Sequence, residues 1–83
     1  PENLLTKWMI ARSYQEVDDL DTAYELYKEL AGDLKDNPEF LEHYIYLLRE
    51  LGYFEEAKVN AQAYLKLVPD DVQMQELYER LQE

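Results

Sequence analysis

Apolar residues recur at intervals of three and four along almost the whole chain, and this spacing places them on one face of an α-helix. The pattern runs through residues 2–16, 20–34, 40–51, 54–67 and 71–82. No stretch alternates apolar and polar residues with a period of two over the length of a strand. The pattern therefore predicts an all-α protein with five helices and no strands.

Residues that break helices fall between these stretches. Asp18 and Gly52 interrupt the first and second pairs of predicted helices. Asn37 is a predicted N-cap, and we expect Pro38 and Pro69 in the first turn of the following helix, where a missing N–H costs nothing. Because the separators are short, we expect helices of roughly 12–16 residues that pack as antiparallel neighbours.

The chain also matches itself when it is shifted so that Ile10 falls on Tyr44. Apolar residues then fall on apolar residues, as in the further pairs Ala11 and Ile45, Tyr14 and Leu48, Leu20 and Phe54, Ala23 and Ala57, and Leu30 and Tyr64. Ala23 and Ala57 are small at positions where two helices have to approach closely. This self-match predicts helical pairs that stack and share a core. By the same spacing we expect five core tyrosines, Tyr14, Tyr27, Tyr44, Tyr64 and Tyr78.

Residues 52–57, with the sequence GYFEEA, together with Leu65 and Pro69, resemble the turn and second helix of a tetratricopeptide repeat (TPR). Residues 10–31 match the same motif more loosely. The resemblance extends over almost the whole chain and implies a solenoid of helical hairpins.

Two positions depart from the family motif. Asp18 stands where the family usually has Gly, which implies a turn that Asp tolerates. Pro38 comes later in the chain than its match to Pro69 requires, which implies a longer helix or loop around residues 32–37.

We therefore expect a single all-α domain over residues 1–83, a TPR-like α-solenoid of two antiparallel helical hairpins plus a C-terminal capping helix. Repeat 1 covers about residues 4–37, repeat 2 about 38–70 and the capping helix about 71–82, with Asp70 or Asp71 as the cap of the last helix. The sequence begins with Pro1 and not with Met, as expected for a piece of a longer protein.

Charge narrows the classes of partner. Eight Lys and Arg against 19 Asp and Glu give a net charge of −11, which repels phosphate backbones and anionic lipids. No stretch approaches the roughly 20 apolar residues of a membrane span, and no signal-peptide pattern opens the chain. We expect no binding to nucleic acid or membranes, and a cytoplasmic location.

Candidate catalytic and metal-binding residues are few. His43 is the one histidine, there is no cysteine, and no Gly-rich phosphate loop is present. Asp18, Asp19 and Asp21 resemble the start of a calcium loop but lack its glycine and further ligands, so helix capping explains them more simply. We expect neither enzymatic activity nor a cofactor or metal.

The resemblance to TPRs implies that the first helix of each repeat lines a concave groove. Residues at equivalent positions in successive repeats then form rows along this groove. One row begins at Trp8, a second consists of Arg12, Tyr46 and Arg80, and a third includes Arg49. Tryptophan, tyrosine and arginine are the residues that most often dominate binding energy. The candidate partner-binding residues are Trp8, Arg12, His43, Tyr46, Arg49 and Arg80.

A simpler interpretation of the same arginines stays open. Arg12 can pair with Glu16, and Arg80 with Glu76, as exposed contacts within one helix. Arg12 can also lie over the Trp8 ring one turn earlier. The Lys/Asn/Arg clamp of chaperone-binding TPRs is not present as a set at the matching positions.

The predicted function is a non-catalytic protein–protein interaction module that binds a peptide or helical segment of a partner protein in the groove. Local arginines favour carboxylates whereas the overall charge favours a basic partner, so a segment of mixed charge satisfies both. The alternative is a structural module that stacks through its uncapped first helix, with Leu4, Leu5 and Met9, on further repeats or on a second copy as a homo-oligomer.

Overall fold

The computed structural model describes residues 3–82, and within this range it contains five helices and no strand. In chain order they are α1 (Leu4–Glu16), α2 (Leu20–Leu30), α3 (Pro38–Leu51), α4 (Phe54–Leu67) and α5 (Val72–Leu81). The chain forms two compact units, of which the first ends at Leu34 and the second begins at Lys35. The predicted all-α class is confirmed. None of the helices in residues 3–82 combines the length and apolar character needed to cross a bilayer.

Helices α1 and α2 pack against each other in the first unit. Both begin at a side-chain cap, because Asn3 Oδ1 accepts a hydrogen bond from the Leu5 N–H at 2.8 Å and Asp19 Oδ1 accepts one from the Thr22 N–H at 3.3 Å. Between the helices Asp18 adopts a left-handed backbone conformation with a φ of 66°. Asp is therefore tolerated in this turn, as predicted, and the short connection makes the two helices antiparallel.

The first unit buries one face of each of its helices. Its buried residues are Trp8, Ala11, Ala23, Tyr27, Leu30 and Leu34. The indole N–H of Trp8 donates a hydrogen bond to the Tyr27 hydroxyl at 3.3 Å, and this hydroxyl donates to Gln15 Oε1 at 3.0 Å. Burial raises the pKa of the Tyr27 phenol, so the hydroxyl keeps the proton that it donates.

In the second unit, α4 packs against both α3 and α5. Asn37 caps α3, as predicted, since its Oδ1 accepts a hydrogen bond from the Phe40 N–H at 3.2 Å, and Pro38 is the first helical residue. Gly52 joins α3 to α4 in a left-handed conformation with a φ of 83°. The buried residues of this unit are Phe40, Leu41, Tyr44, Ile45, Leu47, Leu48, Ala57, Ala61, Tyr64, Met74 and Leu77.

The turns after α1 and α3 close in the same way. In each, the N–H of the residue after the left-handed position donates to a carbonyl near the end of the preceding helix, from Asp19 to Tyr14 and from Tyr53 to Leu48, both at 2.9 Å. The two turns fall on each other in the self-match of the sequence. The two repeats found in the sequence are thus matched by equivalent backbone hydrogen bonds in their turns.

Asp71 connects α5 to α4. Its Oδ1 accepts a hydrogen bond from the Met74 N–H at 3.1 Å, so Asp71 caps α5, and its Oδ2 accepts one from the Tyr64 hydroxyl at 2.7 Å. The bond from Tyr64 lowers the pKa of the Asp71 carboxyl and raises the pKa of the Tyr64 phenol. One carboxylate therefore both starts the last helix and holds it to its neighbour.

Burial confirms most of the predicted core. Ala23 and Ala57 have no exposed surface, and the buried tyrosines are Tyr27, Tyr44 and Tyr64. The expectation that Tyr14 lies in the core is wrong, because its side chain is 38% exposed. The face that α1 buries is centred on Trp8 and Ala11, and Tyr14 lies to one side of it. Tyr78 is half-buried.

Helix ends differ from the sequence-based expectation in two places. Pro69 does not lie in the first turn of a helix, because α5 begins only at Val72. The second helix ends at Leu30, and residues 31–37 form the longer loop that the position of Pro38 indicates. Loss of helical periodicity is hard to detect here because Leu34, beyond the helix end, is still buried.

Candidate functional site

The six predicted partner-binding residues divide between the two units. Trp8 and Arg12 lie on α1 in the first unit. The other four lie in the second unit, with His43, Tyr46 and Arg49 on α3 and Arg80 on α5.

In the first unit Trp8 belongs mainly to the hairpin core. Only 5% of its surface is exposed, so little of the ring is available to a partner. The guanidinium carbon of Arg12 lies 5.5 Å from the centroid of the Trp8 ring, which is the stacking that the simpler interpretation predicted. Beside this pair, a shallow depression of about 260 Å³ is lined by Met9, Arg12, Ser13 and Glu16.

In the second unit the structure brings two of the predicted arginines to one pocket of about 250 Å³. We call it the Arg49–Arg80 pocket, and it is lined by Arg49, Phe54, Leu77, Arg80 and Leu81. Three elements build it: the last turn of α3, the first residue of α4 and the second half of α5. The αL turn at Gly52 places Phe54 beside the end of α3, and the Tyr64–Asp71 hydrogen bond holds α5 against α4.

A second depression of about 400 Å³ adjoins this pocket. We call it the Tyr46 depression, and it is lined by Tyr46, Arg49, Glu50 and Phe54. The guanidinium carbon of Arg49 lies 5.8 Å from the centroid of the Tyr46 ring. Because Arg49 and Phe54 line both cavities, they form one continuous recessed surface.

In the part of the chain that the structure describes, the three candidate arginines are not neutralised by ion pairs. Within residues 3–82, no carboxylate forms an ion pair with Arg12, Arg49 or Arg80. The pairs of Arg12 with Glu16 and of Arg80 with Glu76, which the simpler interpretation allowed, are therefore not formed. These guanidinium groups keep hydrogen-bond donors that a partner can use.

His43 is less closely connected to this surface. It is half-buried on α3, one turn before Tyr46, and lines neither the Arg49–Arg80 pocket nor the Tyr46 depression. No cluster of three or more His, Asp or Glu side chains within the described part of the chain is arranged to hold a metal ion. Asp19, one of the carboxylates that resembled a calcium loop, caps α2.

Comparison with known proteins identifies the family. Residues 5–71 of the 83 match a family described as YpiA-like, C-terminal tetratricopeptide repeats. The chain belongs to the tetratricopeptide repeat family. No curated protein and no solved structure matches it significantly.

TPRs are generally protein-interaction modules, and the family is typically non-catalytic. An interaction with another protein is therefore the general function that membership supports. Membership of the family alone identifies neither the partner nor the binding residues. Both have to be inferred from the surfaces described above.

Sequence reasoning missed the apolar part of the Arg49–Arg80 pocket. In the self-match Phe54 falls on Leu20, which predicts a core residue on a helix face, yet Phe54 is 54% exposed. Leu77 is buried as the pattern indicated, but it also forms a pocket wall. The available signal was Phe54 itself, an aromatic residue that follows Gly52 and Tyr53 and lies close in sequence to Arg49.

Proposed function

We propose that this chain is a non-catalytic protein-interaction module that binds a peptide or helical segment of a partner protein. The observation that carries the proposal is the recessed surface of the second unit, where Arg49 and Arg80 lie beside the exposed ring of Phe54. Surfaces that combine arginines with aromatic side chains are typical of binding hot spots.

The proposed mechanism combines aromatic anchoring with local pairing of charges. Tyr46 and Phe54 supply apolar area at low entropic cost, and the planar guanidinium groups of Arg49 and Arg80 bind carboxylates in a bidentate manner. We propose that Arg12 and His43, with the small exposed part of Trp8, contribute at the margins of binding. This assignment follows the groove positions expected for repeats that begin near residues 4 and 38.

Selection from a random peptide library displayed on phage tests the proposal. The library is selected on the immobilised wild-type chain, and the enriched peptides are synthesised and measured by isothermal titration calorimetry. We expect Tyr46→Ala combined with Arg80→Ala to weaken their binding at least about tenfold, since each removes a contact worth about 1 kcal/mol or more. Circular dichroism should show unchanged helicity, because both side chains are exposed.

A matched control lies on α4. Val59→Ala combined with Lys66→Ala removes one apolar side chain and one cation from exposed positions outside both cavities, and it should leave binding unchanged. Failure to enrich any peptide, or equal affinity of the Tyr46/Arg80 variant and the wild type, contradicts the proposal.

A second candidate function is self-association through α1. Large apolar side chains on this helix are exposed, with Leu5 at 55% and Met9 at 65%. Such a face favours stacking on a second copy or on a further repeat. Sedimentation velocity over a wide concentration range tests it: a concentration-dependent dimer that Leu5→Glu with Met9→Glu abolishes supports it, and a strict monomer contradicts association between copies.

A further inference from the structure

We infer that the Arg49–Arg80 pocket and the Tyr46 depression bind a peptide segment in which a large apolar, an acidic and a basic side chain follow one another closely. The inference rests on the proposed function and specifies its ligand. The acidic group of the bound segment is the side-chain carboxylate of an Asp or Glu within the segment.

The size of the pocket limits what can enter it. A volume of about 250 Å³ lies just below the range of about 300–1,000 Å³ that is usual for small-molecule and cofactor sites. Phe54, Leu77 and Leu81 form an apolar wall that suits one large aliphatic or aromatic side chain. Because Phe54 is more than half exposed, a bound side chain would remove apolar surface of this chain from water as well as its own.

The acidic residue of the segment is assigned by the two guanidinium groups. Arg49 and Arg80 line the same small pocket and have no carboxylate partner within residues 3–82. A side-chain carboxylate next to the inserted apolar residue reaches these donors without a long linker. A hydrogen-bonded pair of opposite charge is stronger than a neutral hydrogen bond.

The basic residue of the segment is assigned by Glu50. This carboxylate lines the Tyr46 depression beside Arg49, so the recessed surface changes sign over a short distance. A net charge of −11 adds a field that favours a cation and opposes a second anionic group. For the same reason a phosphate group, with about two negative charges, is disfavoured relative to one carboxylate.

Short capped peptides and NMR test the inference. The probe is the acetylated, amidated tripeptide Leu-Glu-Lys, titrated into the ¹⁵N,¹³C-labelled chain at low salt. The matched probes are Leu-Gln-Lys, which lacks the carboxylate, Gly-Glu-Lys, which lacks the apolar group, and Leu-phosphoserine-Lys. A fourth probe, Lys-Leu with a free C-terminal carboxylate, distinguishes binding of a C-terminal carboxylate from binding of a side-chain carboxylate.

We expect Leu-Glu-Lys to shift the side-chain resonances of Arg49, Arg80, Phe54 and Leu77. The Gln and Gly probes should each bind at least about tenfold more weakly, the effect of losing one charged hydrogen bond or the apolar contact. The phosphoserine probe should also bind more weakly, because the net charge of −11 opposes the second charge of a phosphate, and so should the C-terminal probe, because its carboxylate does not lie between an apolar and a basic residue. Arg80→Gln should weaken Leu-Glu-Lys binding by a similar factor, whereas Lys66→Gln, which removes a cation on α4 that lines neither cavity, should have no effect.

Two results overturn the inference. One is equal binding of the Gln and Glu probes, and the other is tighter binding of the phosphoserine or free-carboxylate probe. Peptides selected from the library distinguish this failure from failure of the proposed function. If they bind and are sensitive to Tyr46→Ala with Arg80→Ala but lack the apolar–acidic–basic order, the module binds partners and only the ligand assignment fails.

Discussion

At the scale of single residues, the two helix-ending turns show how one backbone requirement is met by different side chains. Gly52 and Asp18 occupy equivalent positions in the two repeats, and both have a positive φ. Glycine adopts this conformation without strain, whereas an L side chain has its Cβ close to the carbonyl oxygen. Aspartate tolerates it better than most residues, which explains why the family motif can depart from Gly in the first unit.

Substitutions at Gly52 and at Asp18 should change the free energy of unfolding in opposite directions. Gly52→Ala should lower the free energy of unfolding by about 1 kcal/mol, because a Cβ at this φ is strained although no neighbouring atom lies within 4 Å of it. Asp18→Gly should raise the free energy of unfolding by about 0.5 kcal/mol, since relief of strain exceeds the added entropy of the unfolded chain. Urea denaturation followed by circular dichroism measures both changes.

Gly32→Ala is the control for this pair of variants. A Cβ added at Gly32 would also have no atom within 4 Å, but the φ of Gly32 is not positive. This substitution should therefore be neutral or slightly stabilising. Equal destabilisation by Gly32→Ala and Gly52→Ala would show that the left-handed conformation is not the cause.

At the scale of helices, the sequence was informative because period and spacing are properties of the chain itself. The five helices, the caps at Asn37 and Asp71 and the complete burial of Ala23 and of Ala57, each within its own unit, all follow from local pattern and residue size. Errors occurred where neighbouring elements decide the outcome. Whether the side chain of Tyr14 is buried depends on what packs beside α1, and the periodicity of the sequence carries no information about that packing.

The same limit applies to the candidate site. Spacing identified Tyr46, Arg49 and Arg80 as candidate groove residues, but it did not show that Arg49 and Arg80 share a pocket with Phe54. That depends on the direction of the turn at Gly52 and on the position of α5 against α4. Pocket geometry arises from tertiary packing, and the side chains that form its walls also satisfy the pattern of an ordinary core.

The hydrogen bond between Tyr64 and Asp71 should make the docking of α5 depend on pH. The pKa of Asp71 is lowered from its ordinary 3.8, so its contribution to stability is present above that value and is lost as the pH falls through the pKa of the folded state. Tyr64→Phe should lower the melting temperature by about 5 °C at pH 6. The difference from wild type should shrink below about pH 4 as the carboxylate becomes protonated.

Tyr78→Phe is the matched control, since it removes a hydroxyl from a half-buried tyrosine for which the structure shows no hydrogen bond within residues 3–82. Melting curves of wild type and both variants at half-unit steps from pH 2.5 to pH 6 would be compared. A deficit of Tyr64→Phe that stays constant across this range would show that the Asp71 carboxylate is not the group responsible.

At the scale of the whole molecule, charge has a consequence that no single contact reveals. Nineteen acidic residues against eight basic ones leave −11 charges on a chain of 10.0 kDa, and ion pairing among the described residues neutralises few of them. Mutual repulsion then disfavours the compact state while it keeps the protein soluble. In the proposed binding mode, the same field attracts basic segments from a distance before Arg49 and Arg80 bind the carboxylates of the segment.

Added salt screens this repulsion, so it should stabilise the fold at neutral pH and do so much less near the isoelectric point. Raising NaCl from about 10 to about 150 mM shortens the screening length from about 30 Å to about 8 Å, so the melting temperature at pH 7 should rise by about 3 °C. At pH 4.3, the isoelectric point of the sequence, the net charge is near zero and the same salt step should change the melting temperature by less than about 1 °C. Scanning calorimetry at low protein concentration measures both. An equal rise at the two pH values would mean that salt acts through apolar surface or specific ion binding, and that repulsion between carboxylates does not limit stability.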